Sequence, residues 1–204
     1  MSSHEFFTLA YRAALGSEDE KRASRQIVRK LCSERGIFPA SILPLYMAMS
    51  RGETKGYTVP AINLRTLTYD AARAALRAAQ ARAAGALIFE IARSEIGYTQ
   101  QTPEEYSTVI MAAAMKEGWG GPLFIQGDHF QVSSKAWRSD QGKETSALED
   151  IIRKAVTAGF LNIDIDASTL VDLSQPTVEK QQEPNVHATA HFLRFIRGIQ
   201  SAGV

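Results

Sequence analysis

The stretch Pro122-Leu123-Phe124-Ile125-Gln126-Gly127-Asp128-His129-Phe130 decides how the rest of the chain is read. It begins as an apolar strand and closes on a carboxylate and an imidazole. A buried strand ending on Gly-Asp-His sets two ionisable groups at its C-terminal end, where parallel α/β folds carry their chemistry. Asp128 and His129 are neighbours, so a regular strand would point them to opposite faces. A turn of the chain there, eased by Gly127, is expected to bring both into one pocket. A second stretch, Leu161-Asn162-Ile163-Asp164-Ile165-Asp166-Ala167-Ser168, places Asp164 and Asp166 on alternate residues. Ile163 and Ile165 suit a face covered by helices, which leaves both acids on the other. Carboxylates turned inward need hydrogen bonds or a metal.

Outward from these two strands, the chain alternates strands and helices from Gly56 onward. A first strand is expected over 57–64, then an Ala-rich helix over 69–84 closed by Gly85, then a strand over 86–92. Thr102-Pro103-Glu104-Glu105 opens a helix with a cap, a proline in the first turn and acids on the dipole, running to about Glu117. The Asp-His strand follows, then a helix over 146–158 capped at Gly159, the Asp-x-Asp strand, and a last helix from an Asn185 cap to about Gln200. Glu90, in step with Ile88 and Ala92, and Asn63, near its strand's end, are expected to face the same interior. No Gly-x-Gly-x-x-Gly or Walker loop follows any strand, which argues against a Rossmann dinucleotide site. The expected fold class is therefore α/β, of the (β/α) TIM-barrel type. Its first four units would occupy residues 56–204, preceded by an N-terminal helical extension over 1–55. A closed barrel takes eight units and about 250 residues. The expectation is thus the front half of a longer barrel, or a sheet completed by another chain.

Within 1–55, Phe6, Phe7, Leu9, Ala10 and Ala14 make one apolar helical face. Ser17 and Glu20 form a capping box for a second helix lined by Ile27, Val28, Leu31 and Cys32 and stopped by Gly36. A short third helix is expected from Pro39 to near Gly52.

The chain has 204 residues, 45% hydrophobic and 22% charged, with a formal net charge of +1. That composition fits a soluble globular protein and carries no electrostatic footprint for nucleic acid or an acidic membrane. Cys32 is the single cysteine, which excludes an intrachain disulfide and fits a packing role in a reducing compartment. The N-terminus lacks a signal-peptide pattern, and the Ala-rich run carries Arg73, Arg77 and Arg82, so no membrane span is expected and the location is cytoplasmic. His187 and His191 stand four apart, a spacing that lets two imidazoles share a metal. Nothing like His-Glu-x-x-His surrounds them, so they are read as an ordinary surface pair.

Val59-Pro60-Ala61-Ile62-Asn63, then Gly127-Asp128-His129, then Ala158-Gly159-Phe160 running into Ile165-Asp166-Ala167-Ser168, resemble the zinc-dependent class II fructose-bisphosphate aldolases. Gly97-Tyr98-Thr99-Gln100-Gln101-Thr102-Pro103 with the Gly-Asp-His strand also resembles the large subunit of class II tagatose-bisphosphate aldolases. The likeness runs from about Ile42 to the C-terminus and leaves the first 38 residues without a counterpart. It implies a barrel enzyme of carbohydrate metabolism, such as glycolysis, that cleaves a ketose bisphosphate to dihydroxyacetone phosphate and glyceraldehyde 3-phosphate, with zinc polarising the ketone. By motif match His129 is a zinc ligand, Asp128 a catalytic acid, and Asn63 and Asp166 contact substrate. Glu183 matches the first acid of a Glu-Glu-Asn segment that assists proton transfer, although Pro184 replaces its middle acid. A catalytic zinc takes three protein ligands, and the family draws its other two histidines from strands that this sequence does not contain. The resemblance therefore implies a homo-oligomer or a missing C-terminal half that completes the site. The alternative is a non-catalytic subunit or scaffold of an aldolase complex.

Overall fold

The order of apolar and polar residues along the strands sets which face of the sheet each helix covers. The computed structural model describes residues 3–201. Helices α1 (Ser3–Leu15) and α2 (Glu18–Glu34) come first, then β1 (Ile37–Pro39) and α3 (Leu43–Ser50). Four strand–helix units follow. They are β2 (Ala61–Asn63) with α4 (Thr68–Ala81); β3 (Ile88–Ala92) with α5 (Arg93–Thr99) and α6 (Pro103–Lys116); β4 (Gly121–Gln131) with α7 (Ser134–Ser139) and α8 (Gln141–Ala158); and β5 (Asn162–Asp166) with a short 3-10 turn and α9 (Val178–Ser201). The fold is α/β with a parallel sheet, and β2, β3, β4 and β5 lie side by side in chain order.

Phe89, Ile91, Leu123, Ile125 and Phe130 face the helices and share one core with Leu76 of α4, Tyr106 and Ile110 of α6, and Leu148 and Ile152 of α8. The alternate residues Ile88 and Phe124 point the other way and meet Ile42, just before α3, in a separate small cluster. Among the described residues, helices pack along one face, whereas the segment around α3 covers only the lower end of the other. The outer edges of β2 and β5 pair with no further strand among the described residues.

Several local expectations hold. The Ser17–Glu20 capping box closes reciprocally, Thr102 caps α6, and Gly159 ends α8 in the left-handed region at φ 96°. Cys32 is fully buried, its thiol donates to the Met111 carbonyl at 3.5 Å, and burial pushes its pKa up to about 12. Other expectations need correction. The stretch after Gly36 forms β1, which pairs with the first residues of β4; a three-residue strand has too few alternations to announce itself. Ala83, not Gly85, takes the left-handed position after α4, at φ 53°, and the Ala84 N–H then reaches back to the Ala79 carbonyl. The last helix starts at Val178 with Thr177 as its cap and carries Pro184 inside it, so Asn185 is not a cap. Helices α1 and α2 pack, through Phe6, Ala10, Val28 and Cys32, into the same cluster as the sheet and α6.

Asn162 joins the sheet together. Its side chain accepts from the Ile42 N–H at 2.8 Å and donates to the carbonyls of Ala40 and Ile125 at 3.2 and 3.1 Å. β1 and β5 thereby share the same side of the long strand β4, one at its start and the other at its end.

Candidate functional site

The register places polar residues in one layer on the sparsely covered face. Asn63 pairs with Glu90, Glu90 with Gln126, and Gln126 with Asn162. One step further along the strands, Ala92 pairs with Asp128. A cleft of about 750 Å³ opens above this layer, lined by Asn63, Glu90, Glu95, Asp128, His129 and Gln131 among others.

The Asp-His strand does not end where the sequence suggested. It runs on to Gln131, and its pairing with β5 slips between Gly127 and Phe130. This is a β-bulge, in which one extra residue enters one strand only. His129 is the extra residue and takes a left-handed backbone at φ 42°. A regular strand would alternate Asp128 and His129; the bulge sends both to the cleft and restores Phe130 to the helix side, where it is fully buried. The role expected of Gly127 is also different. Its own backbone is not left-handed, but a Cβ placed there would lie 2.6 Å from the Phe130 ring. Gly127 leaves room for the ring that anchors the bulge.

Asp164 faces the bulge. Its carboxylate accepts from the His129 N–H at 3.2 Å, and ligand atoms of Asp128, His129 and Asp164 all lie within 4.8 Å of one another. A divalent ion sits about 2.1 Å from each nitrogen or oxygen donor, so two donors can be at most about 4.2 Å apart. A closing of about half an ångström would suffice, and the His129 side chain, 66% exposed, is free to make it. One imidazole with two carboxylates is a mixed donor set that suits a divalent ion, and these three residues could hold one.

Electrostatics separate the carboxylates into two kinds. Burial pushes the Asp128 carboxyl above its ordinary value, with Asp164 and Glu95 adding to the shift and His129 opposing it. Burial likewise raises Glu90, with the Asp128 charge adding to it; the Gln126 side chain donates to it at 3.0 Å. Glu95 and Glu144 are more deeply buried yet lie below their ordinary values, because hydrogen bonds outweigh burial. Glu95 receives the Ala92 N–H, the Asn63 amide and the Arg65 guanidinium at 2.8, 2.7 and 2.5 Å. Glu144 receives Arg93 at 2.5 Å and the Ser133 N–H at 2.8 Å. Asp166 is held low in the same way: Ser168 and Gln131 more than offset its burial.

Of the residues the sequence singled out, Asn63, Glu90, Asp128 and His129 line this cleft. Asp166 is not among the lining residues; its carboxylate accepts from the side chain of Gln131, which does line the cleft, at 2.6 Å. Glu183 is elsewhere. It sits exposed on α9 in a separate cleft with Trp137, Asp172 and His187, because α9 begins earlier than expected and carries it along the helix. His191 pairs with Glu149 at 2.8 Å and shares nothing with His187. The sequence missed Glu95 and Arg93, which follow β3 directly. A Glu three residues after a strand's last residue, in the capping-box position, was the available signal for Glu95.

No protein family, curated protein or solved structure matches this chain.

Proposed function

We propose that this chain is a metal-dependent carbon–carbon lyase of the class II aldolase type, acting on a phosphorylated ketose. The observation that carries this reading is the bulge at His129, which sends an aspartate and a histidine together to the C-terminal end of parallel strands, opposite a second aspartate. The sheet geometry is consistent with the first four units of a (β/α) barrel. Strands in chain order, with helices on one face and a polar layer on the other, fit an arc of such a barrel better than a doubly wound sheet, which has helices on both faces.

In this reading His129 and Asp164 hold the ion and zinc is the metal; when bound, it supplies Lewis-acid polarisation of a substrate carbonyl. Asp128, half-buried beside the ion site, transfers a proton between its carboxyl group and an oxygen in the cleft. Asn63, anchored to Glu95, offers its amide to orient the substrate. Strands from a second copy or from a C-terminal half would supply the remaining ligands and cover the open edges.

The test loads the protein with zinc and assays cleavage of fructose- and tagatose-1,6-bisphosphate, following dihydroxyacetone phosphate. Activity that EDTA removes and that Asp128→Ala abolishes is the expected result. Cleavage unchanged in Asp128→Ala would remove its assigned role. A second reading follows from the free edges of β2 and β5: a non-catalytic subunit that completes its sheet with an aldolase chain. Absence of stoichiometric zinc, with stabilisation only by that partner, would favour it.

A further inference from the structure

A second cavity, independent of the reading above, lies between α1, the start of α4 and α6. It has a volume of about 310 Å³, and three aromatic rings, Phe7, Tyr11 and Tyr69, are among its walls. The rings of Phe7 and Tyr11 lie 6.2 Å apart between centroids and those of Phe7 and Tyr69 6.0 Å apart. Both charged residues lining the cavity are carboxylates, Asp70 and Glu105, and no lysine, arginine or histidine does so among the described residues. Asp70 is already committed to Arg73 at 3.1 Å. Glu105 has no ion pair among the described residues; Arg25, paired with Glu104 at 2.8 Å, and Lys21, paired with Glu18 at 2.9 Å, act on its charge only from a distance.

Aromatic faces attract cations through the ring quadrupole, and cages of such rings select alkylated ammonium groups. This protein already uses one of these rings that way, since the Arg73 guanidinium carbon sits 5.3 Å from the centre of Tyr69. Gln101 ties the rim together, bonding Thr68 at 2.7 Å and the Arg65 carbonyl.

We infer that this cavity binds a small alkylated ammonium cation, held against Phe7, Tyr11 and Tyr69 and neutralised by Glu105. The shape and the charge are both needed. A groove for a neutral side chain gains nothing from a half-buried carboxylate without an ion pair in its wall, because burying such a group is costly.

The test titrates choline into the protein and follows the ring protons of Tyr11 and Tyr69 by NMR, with the uncharged shape analogue 3,3-dimethylbutan-1-ol as control. Saturable binding of choline, about tenfold tighter than the alcohol, is expected. Glu105→Gln should erase most of that preference, and Tyr11→Ala should weaken choline several-fold. Tyr11 is 52% exposed, so its replacement should leave the melting temperature unchanged and keep a loss of binding interpretable. Equal affinity for choline and the alcohol would overturn the proposal and leave a purely apolar groove. So would choline binding that both variants leave untouched, or no saturable shift at all.

Discussion

The two faces of this sheet carry opposite chemistry on the same strands. Toward the helices, Phe89, Ile91, Ile125 and Phe130 are fully buried in a continuous apolar core. Toward the cleft, the residues between them are Glu90, Gln126 and Asp128, half-buried and joined by few hydrogen bonds. One face supplies stability through apolar burial. The other spends part of it on groups held out of water. The carboxylates repeat the division. Glu95 and Glu144 are buried and fully bonded, so they brace the cleft wall, while Asp128 and Glu90 are less satisfied and remain chemically available. Burial alone does not raise a carboxyl's pKa; burial with too few donors does.

That division can be broken at its strongest point first. Phe130→Ala removes a fully buried ring from the core and the anchor of the bulge together. It should cost about 4 kcal/mol in urea unfolding, and calorimetric titration should show metal affinity lost along with stability.

Next in size is the bracing pair behind the cleft. Glu144→Gln leaves Arg93, 22% exposed, without its carboxylate. A loss of about 3 kcal/mol is expected, at the low end for a buried pair because Arg93 retains some water. The acid side of the stability curve should change as well. Glu144 and Glu95 lie below their ordinary value of 4.5, so each adds stability at neutral pH that disappears as the pH falls below that value through their folded pKa. Chemical denaturation between pH 3 and 7, on the order of the window where such carboxylates protonate, should show a shallower loss in the variant than in the parent.

Gly127→Ala sharpens the comparison, since it touches both faces through one methyl group. The new Cβ meets the Phe130 ring at 2.6 Å, and the ring must shift. Overpacking of this kind costs about 2 kcal/mol. Metal affinity should fall more steeply than stability, because displacement of the ring alters the bulge. Equal melting temperatures for parent and variant would show that the ring yields without strain.

The smallest effect has the opposite sign. His129→Gly relieves a left-handed backbone in a non-glycine residue and should stabilise the fold by less than about 1 kcal/mol, while abolishing metal binding. A gain in melting temperature with loss of the ion would mark His129 as a residue kept for function at a cost to stability.

Much of the architecture follows from the sequence alone. Apolar alternation with intervening helical periods gives the four strand–helix units, and caps such as Ser17, Thr102 and Gly159 set helix ends within a residue, because these signals are local and act through neighbouring backbone groups. The alternation of Ile163 and Ile165 with Asp164 and Asp166 likewise settles which face of β5 carries acid. Other features depended on partners far along the chain. β1 exists only because β4 is long enough to pair with it below β5, and Asn162 joins them across more than a hundred residues. The bulge at His129 is invisible in the sequence, since it depends on Asp164 accepting the His129 N–H and on Phe130 finding space over Gly127. Local chemistry could nominate Asp128 and His129 as a pair. Only the packing of two strands and one ring turned both of them toward the same cavity.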